Sequence, residues 1–199
     1  LGSHLNSVCL WITVVQLRRR GYDMRVALPI ARDPWGQTRL RMLIGRRAGR
    51  AGLREQIGAF FAQFNIRPIV EALAQRAVVG MTGDGWHSAS FVPVEFLGRT
   101  LPFTTGAMSL ARSTGALVVP IFMVGEPVSG VRAVIEEPFT VEKTAHPRED
   151  VHAAVRRFVG LLDRHLRANP AGWQHLEVPD VLATMATWPQ RPLAERYSM

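Results

Sequence analysis

Thr82-Gly83-Asp84-Gly85, followed by Phe91-Val92-Pro93-Val94-Glu95-Phe96-Leu97-Gly98, Thr104-Thr105-Gly106-Ala107 and Thr114-Gly115-Ala116-Leu117-Val118-Val119-Pro120, is the stretch on which the fold reading turns. It reads as an acidic loop after one strand, a second strand ending in glycine, a helix opened by threonines and a third strand. In open α/β sheets, ligands collect in the loops at the carboxyl ends of strands, so this succession marks a substrate-facing edge. Asp84, at a strand end between two glycines, and the helix start at Thr104 to Gly106, which can hold an anion on its free amides, are its chemical features. A turn-stabilising aspartate and a plain helix cap are the alternatives.

Outward from there, the pattern alternates. Val8, Leu10, Trp11, Val14, Val15 and Leu17 fit one helical face that stops at Arg18-Arg19-Arg20-Gly21, and Tyr22 to Leu28 reads as a strand. Thr38 to about Phe64 is weakly helical, interrupted by four glycines and crowded with arginine; it reads as a solvated basic face or as a surface for phosphates or an acidic carrier. Arg67 to Gln75 is expected as a helix with Ile69, Val70, Leu73 and Ala74 inward, feeding a strand over Ala77 to Met81. Gly98-Arg99-Thr100 reads as a turn, Thr104 or Thr105 as a cap for a helix through Arg112, Ala116 to Val124 as a central strand buried on both faces, and Val131 to Glu136 as a further strand. Pro147 to Asn169 carries Val151, Val155, Phe158, Val159, Leu162 and Leu166 on one face, acids at its start and arginines near its end. The prolines after Trp173 suggest an extended wrap. Alternating helices and strands point to a three-layer α/β fold, in one domain over residues 1–175 with a tail over 176–199.

With 199 residues and 47% apolar content, the chain can fill one core. No run reaches about 18 consecutive apolar residues, the length of a spanning helix. Net charge is +8 and Lys143 is the sole lysine, so the basic character is carried by arginine. Such a charge favours anionic partners: membrane headgroups, phosphorylated cofactors or acidic carriers. Scattered arginines without interleaved aromatics argue against nucleic acid. The lone Cys9 excludes an internal disulfide, and the dispersed histidines show no metal-ligand spacing. The start at Leu1-Gly2-Ser3-His4 reads as a piece of a longer chain lacking an N-terminal anchoring segment, or as a tag remnant.

The block from Gly80 to Val124, with Gly83-Asp84-Gly85, Phe91 to Gly98, Thr104-Thr105-Gly106, Leu110-Ala111 and Thr114 to Pro120, resembles the lysophospholipid acyltransferase superfamily. Within it, the chain is most similar to the bacterial lipid A late acyltransferases and the phosphatidylinositol mannoside acyltransferases. Asn169-Pro170 and Trp173-Gln174 are similar to a closing Pro-x-x-Trp signature, and Arg18 to Leu28 to the segment after the catalytic helix. The resemblance implies a glycerolipid acyltransferase-like fold, a mixed, mostly parallel sheet covered by helices, and transfer of a fatty acyl group from acyl carrier protein or acyl-coenzyme A to a lipid or glycolipid hydroxyl. It also implies no bound cofactor or metal, and work at the membrane surface on the cytoplasmic face of the bacterial inner membrane.

The same resemblance implies a His-x-x-x-x-Asp/Glu motif in which imidazole takes the hydroxyl proton and the carboxylate orients it. His4 falls at the histidine and Cys9 at the acid. Asp84 is the favoured substitute carboxylate and Glu95 a weaker one; an acyl-cysteine route through Cys9 stands against a packed thiol. Arg46, Arg47 and Arg67 match the family's phosphate- or carrier-binding arginines, and Gly98, Thr105 and Gly106 its substrate edge. The departure at Cys9 opens an alternative: a weakened or inactive homologue that binds lipid or acyl carrier.

Overall fold

The computed structural model describes residues 7–28, 59–61, 66–85, 88–126, 130–177 and 180–192. Two compact units are present, one of Trp11–Met81 with Pro192–Met199 and one of Leu1–Leu10 with Thr82–Arg191.

In the first unit, α1 (Ser7–Arg19, its first residues assigned to the other unit) leads through a glycine with positive φ, Gly21, into β1 (Met24–Leu28). β2 (Ala59–Phe61) and β3 (Val78–Gly80) pair with β1 in parallel on either side, giving the order β2-β1-β3. Ala59–Phe61 is therefore a strand where the glycine-broken helical pattern extended to Phe64; the rest of that segment lies outside the described residues. Val14, Met24 and Val26 form a small core, and an Arg18 guanidinium donates to the Met24 carbonyl at 2.6 Å, fastening the last turn of α1 to the strand. α2 (Arg67–Ala74) buries Ile69 and Ala72. Val70 and Ala74, both expected inward, are exposed, because the buried face runs from Ile69 at three- and four-residue steps to Ala72 and Leu73 and passes both by.

The second unit holds two antiparallel hairpins and the long helix. β4 (Phe91–Phe96) returns as β5 (Arg99–Thr104) through Leu97 (φ 52°) and Gly98 (φ 77°), two consecutive positive-φ residues as a tight hairpin turn requires. The Leu97 amide donates to the Asp163 carboxylate at 2.9 Å, which holds the non-glycine residue in that conformation. The chain thus turns one residue earlier than expected and Arg99 begins a strand. β6 (Ile121–Glu126) pairs antiparallel with β7 (Gly130–Ile135) alone among the described residues. The expected central strand from Ala116 is shortened: Val118 makes an isolated bridge to Phe139, Leu117 is exposed, and Pro120, which has no amide to give a ladder, precedes the strand. α3 (Gly106–Thr114) ends at left-handed Gly115.

α4 (Pro147–Ala168) buries the six apolar residues expected of it, together with Ala154. These pack with Val92, Val94, Phe96, Leu101 and Phe103 from the β4–β5 hairpin and with Phe122 from β6 in one core. Phe96 meets Phe103 and Trp173 edge-on at 5.2 and 5.6 Å, and Phe122 stacks on Phe158 and on the His165 ring at 5.7 and 4.5 Å. Beyond α4 come a 3-10 turn at Pro170–Gly172, another at Gln174–Glu177, α5 (Val181–Thr187) and a 3-10 turn at Trp188–Gln190. The region expected to be an extended wrap is helical because Val181, Met185 and Trp188, spaced four and three apart, all bury on one face.

The described strands therefore combine parallel and antiparallel pairing in a mixed α/β structure. No described helix is long and apolar enough to cross a membrane.

Candidate functional site

Asp84 lies four residues beyond β3, at the start of the second unit, and its side chain is 1% exposed. A buried carboxylate is costly unless hydrogen-bonded. The Trp173 indole N–H donates to Asp84 Oδ2 at 3.1 Å, and His175 Nε2 sits 3.1 Å from the Asp84 carbonyl and 3.9 Å from Oδ2. The His175 ring stands edge-on to the Trp173 indole at 5.2 Å and is itself largely buried. Trp173 in turn packs on Phe96, so the acidic loop, the β4 strand and the segment after α4 converge on one carboxylate.

Gly83 makes that convergence sterically possible. A Cβ there would stand 2.4 Å from Phe158 Cε1, far inside contact distance, so only glycine lets the loop lie against α4. Glycine beside the aspartate was legible in the sequence, and so was Trp173 as part of a Pro-x-x-Trp segment. His175 was missed. Its one signal was position, two residues after the tryptophan, on a 3-10 turn that proline-rich sequence does not announce.

The other expected site residues divide as follows. His4, Arg46 and Arg47 lie outside the described residues. Arg67 opens α2, exposed and paired at 2.8 Å with Glu71 one turn on. Gly98 is in the β4–β5 turn. Thr105 is buried at the start of α3, with Gly106 the first helical residue. Thr105 is already in the right-handed helical region and makes no side-chain cap; its hydroxyl instead reaches the Ser90 carbonyl at 3.3 Å. The cap expected of Thr104 or Thr105 is therefore not formed by Thr105, since a capping side chain needs an extended backbone to fold back on the first turn. Glu95 faces solvent on β4 and hydrogen-bonds Thr100 across the hairpin. Asp84, Trp173 and His175 are thus brought together, while Arg67 stands in the other unit.

Two further polar clusters brace the second unit. Asp150, in the first turn of α4, accepts from Arg112 of α3 at 2.9 Å and from the Thr144 hydroxyl and amide at 2.7 and 3.0 Å. The Thr144 hydroxyl, followed by the Arg112 guanidinium, holds its carboxyl below the usual range against the opposing effect of burial. Glu136 is held low by Arg164 and His165, whose side chains approach it at 2.7 and 2.6 Å. Among the described residues, no cluster of three or more His, Cys, Asp or Glu is placed to hold a metal ion.

Comparison with known proteins gives a family. The model of the bacterial lipid A biosynthesis acyltransferases matches residues 41–177, more than half of the chain. The matched span takes in both β hairpins, α4 and the Asp84–Trp173–His175 cluster. A separate comparison with individual curated proteins gave no match. The protein accordingly belongs to the bacterial lipid A biosynthesis acyltransferase family, whose members are enzymes that transfer acyl groups.

Proposed function

We propose that the protein transfers a fatty acyl group from an acyl thioester, carried by acyl carrier protein or coenzyme A, to a hydroxyl of a lipid or glycolipid. The family match over residues 41–177 is the observation that carries this reading. In the proposed reaction His4 takes the acceptor's proton as its oxygen attacks the thioester carbonyl. The tetrahedral intermediate collapses, the C–S bond breaks, and the thiolate leaves with the proton returned by the imidazolium. Asp84 supplies the carboxylate in place of Cys9, and its burial with a fixed indole donor supports that role, because a carboxylate held in one orientation costs no reorganisation during reaction.

Membership of the wider lysophospholipid acyltransferase superfamily, with its three-layer sheet, belongs to the same proposal. So do one acyltransferase domain over residues 1–175 with a tail after it, substrate contacts from Arg46, Arg47, Arg67, Gly98, Thr105 and Gly106, and attachment to the cytoplasmic face of the inner membrane. The excess of arginine supports a partner that is anionic, whether carrier or membrane.

Two observations favour a second reading. The Asp84 carboxylate already accepts a hydrogen bond from Trp173, and Cys9 stands where the family acid is expected, which fits a homologue that binds lipid or carrier without chemistry. Acyl transfer by the full-length protein, assayed over a panel of acyl-carrier-protein and coenzyme A donors with lipid acceptors, separates the two. Catalysis predicts turnover that falls by about 100-fold or more in His4→Ala and in Asp84→Asn. Equal rates in the wild type and both variants would remove the general-base assignment, and absent turnover with retained lipid binding would favour the second reading.

A further inference from the structure

The second unit contains a groove of about 400 Å³ whose lining, apart from Thr105, consists of residues given no catalytic or substrate-binding role above. One wall is a single face of α3, Thr105, Ser109, Arg112 and Ser113; the other is the opening of α4, Pro147, Arg148, Val151 and His152; Ser90 and Phe91, where β4 begins, close one end. We infer that this groove is an anion site that takes a phosphomonoester.

Its chemistry is that of phosphate recognition. The Ser90 and Ser109 hydroxyls offer neutral donors, while Ser113 donates its own to the Leu110 carbonyl at 2.9 Å; Arg148 makes no ion pair among the described residues, so its guanidinium is available to a ligand. Arg112 is fixed differently. Its Nε is committed to Asp150 at 2.9 Å and one terminal nitrogen to the Thr144 carbonyl at 2.9 Å, which aligns the α3 wall rigidly against the α4 opening. Phe91 and Val151 supply an apolar patch for the organic part of a monoester, and the volume exceeds that of a bare phosphate.

The electrostatics agree with the geometry. His152 is pushed below its ordinary pKa by burial first, then by Arg148 and Arg156, with Glu149 opposing. Asp150 and Arg112 are paired with each other, and the Lys143 ammonium donates to the Ser113 carbonyl at 3.4 Å. The groove thus has a positive potential that disfavours a second cation, and a bound dianion reverses the sign for His152. Anion binding and His152 protonation are linked: phosphate raises the titration midpoint of His152, and binding strengthens as pH falls through that midpoint.

The test follows the His152 ring resonances by NMR across pH, at fixed ionic strength, in chloride and in inorganic phosphate, alongside calorimetric binding of coenzyme A and 3′-dephospho-coenzyme A and flotation with phosphatidic acid vesicles. None of these measurements requires acyl transfer, so the inference stands or falls apart from the proposed reaction. The expected result is a higher His152 midpoint in phosphate and binding that weakens by about tenfold in Arg148→Glu but not in Arg99→Glu, an exposed arginine outside the groove. Coenzyme A binding that its 3′-dephospho form loses assigns the monoester to a soluble donor. Arg148-dependent flotation without coenzyme A binding assigns it to a lipid headgroup. An unmoved His152 midpoint, or equal binding by Arg148→Glu and wild type, overturns the site.

Discussion

A single absent methyl group governs the neighbourhood of Asp84. Gly83→Ala would place its Cβ 2.4 to 2.9 Å from three ring carbons of Phe158, itself buried in the core, so neither partner can retreat freely. Overpacking of this kind costs about 1–3 kcal/mol, and we expect urea unfolding of Gly83→Ala to show a midpoint lower by that equivalent. At the same carboxylate, Trp173→Phe keeps the ring that packs on Phe96 but deletes the indole donor. Leaving a buried acceptor short of a partner costs about 1–3 kcal/mol. If Asp84 serves catalysis, kcat falls in this variant with little change in KM, and the limb of the pH–rate profile that reports the carboxylate moves to higher pH, since losing a donor favours the protonated acid. A variant that loses stability while its profile stays in place would assign Trp173 to packing alone.

Helix α4 shows how much of an element was legible and why its surroundings were not. Its apolar residues recur at three- and four-residue steps over 22 residues, a signal long enough to outweigh local noise, and all six expected positions are buried. Strand β5 lacked such a signal because Pro102 argues against a strand. In the structure Pro102 faces Pro93 across the hairpin, the fourth pair from a two-residue turn. Alternation of pairs along an antiparallel ladder makes that a position whose amides point outward, where proline costs no ladder bond. The Asp84 cluster was half legible for a related reason. The aspartate and its glycines are local features, whereas Trp173 and His175 lie 89 and 91 residues away and meet it only through tertiary packing. Asp150 ties the start of α4 to α3 through Arg112. Its carboxyl is held low in the fold, so its stabilisation is complete above the unfolded-chain pKa of about 4 and is lost as pH falls through the lower folded value. Asp150→Asn should lower Tm at pH 7, and the gap from wild type should close progressively below about pH 4. A gap that stays constant with pH would trace the effect to packing rather than charge.

At the scale of the whole molecule the governing quantity is charge, because +8 carried almost wholly by arginine acts on any anionic surface the protein approaches, whatever its reaction. Guanidinium groups stay protonated at any physiological pH and grip phosphate in a fork, so attraction to a headgroup layer does not fade with modest alkalinity as an amine's would. The attraction is nonetheless long-range and screened: the Debye length shrinks from about 10 Å at 0.1 M salt to about 3 Å at 1 M. Each basic residue near an anionic membrane contributes about 1 kcal/mol at physiological ionic strength. Co-sedimentation of the full chain with vesicles of phosphatidylglycerol and phosphatidylcholine should therefore show strong binding at low salt, a fall of about tenfold or more by 0.5 M, and little binding to phosphatidylcholine alone. Binding that survives high salt would mean that apolar insertion, not arginine, carries the attachment, and would turn attention to the segments around Trp11 and Phe60-Phe61. Because the arginines of the Thr38 to Phe64 stretch make up a large part of this charge, neutralising Arg46 and Arg47 together should weaken vesicle binding without altering the titration of His152 in phosphate, which depends on Arg148.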